Sequence, residues 1–153
     1  MSDLRGLRFV HPDFSRPELG NDAAGEVDRP SEGPGLVVSP TGWLEWVTGE
    51  DSVRQALLLL LSTRPGERVM RPDYGCPLNG LGFEPNDDTT AGMAIGYIRR
   101  AIERWEPRVR IVRLDARRAE ESRLEILLEY AVRSLPQVEV LRWTISLTGE
   151  NPE

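Results

Sequence analysis

The chain has 153 residues, a net charge of −6, a pI near 5.0 and a mean hydropathy of −0.39. That length suits one domain with a modest core, and the acidity argues against a free nucleic-acid binder. A single cysteine, Cys76, excludes an intrachain disulfide, and a single histidine, His11, excludes a Cys/His zinc site.

Residues 1–34 are rich in Pro, Gly, Asp, Glu and Arg and have few apolar anchors. They read as an extended or partly disordered arm, because such a stretch buries too little surface to offset its ordering entropy. Phe9, Val10 and Phe14 are the exceptions, either carried on a loose tail or docked on a partner or on the domain. No basic-then-apolar signal pattern opens the chain. The apolar run Leu57–Leu61 falls far short of the roughly 20 residues a membrane helix needs. A soluble protein made in the cytoplasm, without membrane insertion, is expected.

Residues 35–149 read as a single domain, with 150–153 as a tail. Leu36–Val38 and Trp43–Val47 flank the turn-forming Ser39-Pro40-Thr41-Gly42, which predicts a small hairpin. Thr48, with Asp51 three residues on, predicts a helix start, and the helix should run from about Glu50 to Ser62. Val53, Ala56, Leu57, Leu60 and Leu61 form a stripe that Leu58 and Leu59 widen nearly all round, predicting a central core helix. Arg64-Pro65-Gly66 stops it, and Arg68–Leu81 reads as a loop.

A second helix starts near Asp87-Asp88-Thr89, whose carboxylates suit the positive helix end. It carries Ala94, Ile98, Ala101, Ile102 and Trp105 at helical spacing and stops at Pro107. Gly92 and Gly96 weaken it or admit another backbone. Three strands follow: Val109–Ala116, with a slip at Ile111-Val112 that suggests a bulge, then Arg123–Arg133 and Val138–Leu147. The order predicts an α+β fold, two core helices on a small, mainly antiparallel sheet of three or more strands.

Glu106-Pro107-Arg108 is the sharpest motif. Pro107 fixes the backbone beyond the helix, so two opposite charges should project from a rigid corner; the alternative is a plain helix stop with a solvated ion pair. In the loop Arg64–Cys76, Arg68 and Arg71 are expected to pair with Glu67 and Asp73, while Arg and Tyr74 are also types enriched at interface hot spots. Cys76 should pack as a small apolar residue. All 19 basic residues are arginine. This fits a coding bias, or guanidinium forks suited to permanent interfaces. The run from Arg99 and Arg100 through Arg104, Arg108, Arg110 and Arg113 to Arg117 and Arg118 reads as a solvated face, a grip on acidic partners, or, last, a nucleic-acid contact.

The succession R-P-G-E-R-V-M-R-P-D-Y-G-C, F-E-P-N, helix, W-E-P-R resembles the small wedge subunit of contractile-tail baseplates, a family with the historical label lysozyme-like. Its relatives occur in myophage tails, extracellular phage-tail-like particles and type VI secretion baseplates. The resemblance covers roughly residues 50–133 and leans towards the phage-tail-like members. It implies a structural role: Glu106, Pro107 and Arg108, with Arg64, Arg68, Arg71, Asp73 and Tyr74, would bind larger wedge proteins. It also implies that the sheet templates the first sheath ring by strand exchange. The candidate edge is Val138–Leu147, with Leu141, Trp143, Ile145 and Leu147 alternating along it. The implied partners are larger wedge proteins, a sheath subunit, and spike or hub proteins, with no cofactor, metal or nucleic acid. The protein would sit in the baseplate after cytoplasmic assembly.

The lysozyme label is testable on residues. Glycoside hydrolysis needs an acid and a second carboxylate roughly 5–9 Å apart across a sugar cleft. Glu84 and Glu106 can be nominated, but 16 glutamates make such pairs common, and neither has a recognisable catalytic context. Histidine is confined to the arm, and without lysine there is no G-x-x-x-x-G-K loop. The expectation is no catalysis. The rival readings are a peptidoglycan-cleaving muramidase at a tail tip and a regulatory or nucleic-acid-binding module.

Overall fold

The computed structural model describes residues 5–10, 35–36, 38, 41–44, 46–120, 122–135 and 137–147. Four short strands come first: β1 (Arg5–Leu7), β2 (Phe9–Val10), β3 (Gly35–Leu36) and β4 (Trp46–Thr48). The expected hairpin is present as a single bridge, Val38 to Leu44, around a turn with Gly42 at φ 84°. Its outer parts pair elsewhere: β3 runs antiparallel to β2, and β4 to β1. Phe9 and Val10 are thus in a ladder with Leu36 and Gly35, whereas His11 and Phe14 lie outside the described residues. The Leu7 carbonyl accepts a hydrogen bond from the Gln55 side chain, 2.5 Å, tying β1 to the first helix.

That helix, α1 (Gly49–Ser62), begins where the sequence predicts, with Glu50 and Asp51 in its first turn. Thr48 is its N-cap residue, but the side chain makes no capping hydrogen bond. Val53, Leu57, Leu60 and Leu61 are buried, while Leu58 and Leu59 are half-buried. The expectation of an all-round core helix is therefore corrected: α1 buries one stripe fully, and its other flanks, beside the short strands β1 and β4, are only half-covered. It ends at Thr63, whose N–H and hydroxyl both donate to the Leu59 carbonyl.

The predicted loop closes with a 3-10 helix at Pro77–Leu81, which the sequence reading missed. Proline at its start supplies a pre-set φ, and Leu78 and Leu81, three residues apart, are both buried. Next comes α2 (Asp88–Trp105), capped by Asp87, whose carboxylate accepts from the Thr90 N–H at 2.8 Å. This hydrogen bond is the main reason the Asp87 carboxyl titrates below its ordinary range. A Cβ at Gly92 or Gly96 would meet nothing within 4 Å, so neither glycine serves a close backbone approach among the described residues.

The sheet contains β5 (Val109–Glu120), β6 (Arg123–Val132) and β7 (Val138–Ser146), antiparallel in the order β5-β6-β7. The register slips between Ile111 and Arg113, the bulge the broken alternation predicts, and again between Arg118 and Glu120. Leu114, Leu128 and Leu141 stand side by side across the three strands. Leu124, Ile126, Leu128 and Tyr130 are buried on the same face of β6, under the helices. Burial pushes the Tyr130 hydroxyl up to about 12. Helix α2 lies on β5 and α1 packs against α2, so the C-terminal end of α2 and the loop leaving α1 meet at one end of the molecule. This is an α+β fold. None of its described helices is long and apolar enough to cross a membrane.

Candidate functional site

Three successive turns shape the loop between Thr63 and Cys76. The Glu67 N–H donates to the Arg64 carbonyl, Arg71 to Arg68, and Tyr74 to Arg71, each at 3.1 Å. Pro65 and Gly66 occupy the first turn, with Gly66 at φ 97°, and the Gly66 N–H closes on the Pro72 carbonyl at 2.7 Å. The loop's two ends are joined by the Cys76 N–H donating to the Thr63 carbonyl at 2.9 Å. Gly75 makes that closure possible: its φ is 123°, and a Cβ there would lie 2.4 Å from the Thr63 oxygen. Cys76 itself is fully buried, and burial pushes its thiol up to about 12, so it is an unreactive packing residue.

The loop folds onto the end of α2. Tyr74 meets Trp105 edge to face, with ring centroids 5.3 Å apart. Arg68 lies 4.3 Å over the Tyr74 ring, and Arg71 and Arg104 lie 5.9 and 4.9 Å from the Trp105 centroid. Arg104 also reaches Asp73, with Nη2 to Oδ2 at 2.5 Å. An exposed ion pair of this kind adds about 0–1 kcal/mol, an aromatic pair about 0.5–1.5, and each exposed cation–π contact about 0.5–1. Acting on one short loop, they hold it to the helix. The pairing expected from sequence is corrected: Glu67 pairs with Arg64 and Asp73 with Arg104, while Arg68 and Arg71 stack on rings. A planar guanidinium can stack on a ring as well as pair with a carboxylate, and here the rings lie within reach. Sequence patterning assigns Trp105 to the core stripe and Arg104 to the arginine run, and gives no sign that both close over the loop.

The Glu106-Pro107-Arg108 corner adjoins this cluster. Arg108 grips the Glu106 carboxylate through both edges of its fork, Nε to Oε1 at 2.5 Å and Nη2 to Oε2 at 2.6 Å. The Glu106 side chain is only 8% exposed and that of Arg108 36%. The two charges therefore do not both project, as the sequence reading expects; the glutamate folds inward and the arginine covers it. The hydrogen bonds to Glu106 raise the Arg108 guanidinium above its ordinary value. Tyr74 senses the same corner: burial raises its hydroxyl, Arg68 lowers it and Glu106 raises it again.

The expected basic run is largely neutralised. Arg113 pairs with Glu129 and Asp115, Arg117 with Asp115, and Arg118 with Asp88. Of the carboxylates nominated for hydrolysis, Glu84 is exposed and Glu106 has both oxygens held by Arg108. Two surface depressions of about 400 and 360 Å³ lie beside Arg133 at one end of the sheet, and neither is lined by Glu84 or Glu106. Among the described residues no group of His, Cys, Asp and Glu could hold a metal ion.

In the sheet, β7 is paired with β6 on one side, and among the described residues no strand lies on its other side. Leu141 and Leu147 are buried, and Trp143 and Ile145 pack against the core. These four side chains face inward, so what the strand exposes is its edge backbone and its outer face of Val138, Val140, Arg142 and Thr144, the two valines being 52% and 47% exposed.

Fold and surface together define a small α+β domain with an arginine–aromatic cluster at one end and, among the described residues, an open strand edge. Comparison with known proteins identifies the family. The family model for baseplate wedge protein gp25 matches residues 47–137, more than half of the chain. The chain belongs to this family of contractile-tail baseplate wedge proteins. It is similar to baseplate wedge protein gp25 of Enterobacteria phage T4, 34% identical over 61 residues, which are 40% of this chain and 46% of that protein. The match thus spans less than half the length of that relative.

Among solved structures, a Geobacter sulfurreducens protein described as a candidate tail lysozyme is 32% identical, with a TM-score of 0.59 over 72% of this chain and 95% of its own. A chain of the anti-feeding prophage baseplate is 28% identical, with a TM-score of 0.58 over 66% of this chain and 82% of its own. A chain of the postcontracted pyocin R2 baseplate shares the fold at 23% identity, with a TM-score of 0.53 over 63% of this chain and 97% of its own.

Proposed function

We propose that this chain is a non-enzymatic joint of the baseplate, binding larger wedge proteins at one end of the molecule and the first sheath ring along β7. The observation that carries the reading is the cluster in which Arg68, Arg71, Asp73 and Tyr74 converge with Trp105 beside Glu106 and Arg108. A surface built in advance from arginine and aromatic side chains loses little entropy on binding, which favours stable assembly. The edge of β7, open among the described residues, supports the second contact, since an open strand accepts another by backbone hydrogen bonding. Assembly would begin in the cytoplasm, with spike or hub proteins as further neighbours.

Co-expression with the larger wedge proteins of the same particle tests the first contact. The wild-type chain should co-purify with them, and the Glu106→Ala, Arg108→Ala double variant, held below its melting temperature, should not; a wild-type chain that elutes alone overturns the reading. For the second contact, Val140→Lys with Thr144→Lys should leave wedge complexes intact and abolish sheath attachment, because charged edge strands resist pairing. The purified protein should not clear cell-wall suspensions. Clearing that Glu84→Gln or Glu106→Gln abolishes would establish the muramidase instead.

A further inference from the structure

We propose that Val69 and Met70 are an anchor that inserts into an apolar socket rimmed by carboxylates on a neighbouring wedge protein, with Arg68 and Arg71 pairing to that rim. This deepens the reading of the loop as a partner-binding surface and rests on it. The two side chains are 94% and 91% exposed, the highest values among the exposed large hydrophobic residues described. They occupy the two central positions of the turn closed by the Arg71 N–H and the Arg68 carbonyl at 3.1 Å. Central turn positions ordinarily take Gly, Pro, Asn, Asp or Ser for conformational reasons. The turns on either side obey this with Pro65-Gly66 and Pro72-Asp73, whereas the middle one presents a β-branched residue and a methionine at its tip.

Nothing in the loop lets these side chains retreat. The closures at Thr63 and Cys76 and at Gly66 and Pro72 fix the backbone, and the stacked arginines fix the base of the turn. Methionine is flexible and polarizable, so it fills irregular sockets well. The charge around the tip selects the rim. Among the described residues Arg64, Arg104 and Arg108 each have a carboxylate within 4.0 Å, and no such pair forms at Arg68 or Arg71. A guanidinium stacked by its face still offers N–H groups at its edge, which suit carboxylates. Two arginines and two apolar side chains on a chain of net charge −6 are too little for an anionic membrane surface, which rewards longer basic runs.

The experiment measures binding of the intact chain to the co-purified larger wedge proteins across a salt series. Val69→Ser with Met70→Ser should weaken binding roughly tenfold or more while leaving the melting temperature unchanged, since fully exposed side chains support no core. Arg68→Gln with Arg71→Gln should weaken it and flatten its salt dependence. A photoreactive benzoylphenylalanine at position 70 should cross-link to a wedge protein beside Asp or Glu residues. If the serine variant binds like wild type, the anchor is wrong while the joint role stands. If the wild-type chain binds no wedge protein, the joint role fails and the anchor with it. Sedimentation of the wild type with phosphatidylserine vesicles, lost in the serine variant, would overturn the protein socket in favour of a lipid surface.

Discussion

Arg108 closes over Glu106 with two hydrogen bonds of 2.5 and 2.6 Å, so a glutamate only 6% exposed is satisfied by an arginine that remains within reach of water. The asymmetry makes the two halves of the pair unequal. Arg108→Ala strands a buried carboxylate, whereas Glu106→Ala leaves a guanidinium that water can solvate. Losing the partner of a buried charge costs several kcal/mol, and a partly exposed charge such as Arg108 loses less. Arg108→Ala should cost about 2–3 kcal/mol in denaturant unfolding and Glu106→Ala about 1. The double variant should be less destabilised than Arg108→Ala alone, because the stranded charge is gone. Equal costs for the two single variants would mean that Glu106 finds water when its partner leaves.

Gly75→Ala should be the most damaging single methyl group in the loop. The Cβ would lie 2.4 Å from the Thr63 oxygen at a φ of 123°, so backbone must move on both sides of the closure. Strain of this kind costs about 1–3 kcal/mol before any clash is counted. The unfolding midpoint should fall accordingly, and the near-ultraviolet signal of Trp105 and Tyr74 should change as the loop detaches. Gly66→Ala, where nothing lies within 4 Å, should cost only the φ penalty.

The elements most legible in the sequence are those whose signals are local. The helix start near Asp87-Asp88-Thr89, the stop at Pro107, the slip at Ile111-Val112 and the alternation of β6 and β7 are each set by neighbouring residues, and each is found in place. What periodicity does not encode is the choice among non-local partners. Leu36 could have paired within its hairpin and instead pairs with Phe9. Asp73 could have met Arg71 and instead meets Arg104, a partner 31 residues away. The candidate site belongs to this second kind. Its motifs are visible as Glu106-Pro107-Arg108 and the Arg64–Cys76 loop, but their union through Trp105 depends on how α2 lies beside the loop.

Gly92→Ala and Gly96→Ala should stabilise the protein. Both positions sit within α2, where glycine costs about 0.5–1 kcal/mol relative to alanine, and an added methyl meets nothing within 4 Å. Each substitution should raise the unfolding free energy by about that amount, and the two should add. If either variant folds more stably yet loses its wedge complexes, the bare helix backbone there is a contact surface for another subunit.

Leu57→Asp should abolish the fold. Leu57 is fully buried in the stripe of α1, within the same core as Ile98 and Leu128. An unpaired carboxylate there must be desolvated or protonated, a cost of several kcal/mol against a total stability of about 5–15 kcal/mol. Leu59→Asp, on the half-buried side of the same helix, should be much milder. Circular dichroism should show the first as unfolded or aggregated and the second as a cooperative folder. A cooperative Leu57→Asp would mean that α1 is not required to close the core.

Glu139 should give the stability curve a component that runs against the usual carboxylate trend. It lies on β7 opposite Tyr130, facing Glu50, Asp51 and Arg54 at the start of α1. Burial raises its carboxyl above the ordinary value, Glu50 raises it further by charge and hydrogen bonding, Arg54 lowers it, and Asp51 adds a smaller upward push. An acid whose folded pKa lies above its unfolded one binds more protons in the native state. Its ionisation therefore destabilises the fold as pH rises from the unfolded carboxylate range, about 4.3, through the folded value. Glu139→Gln should consequently raise the melting temperature at pH 7. The gain should shrink as pH falls through that window and vanish below about pH 4, where both states of the wild type are protonated. A gain that persists unchanged at acid pH would assign the effect to packing, and a loss at neutral pH would show that Arg54 holds the ionised form.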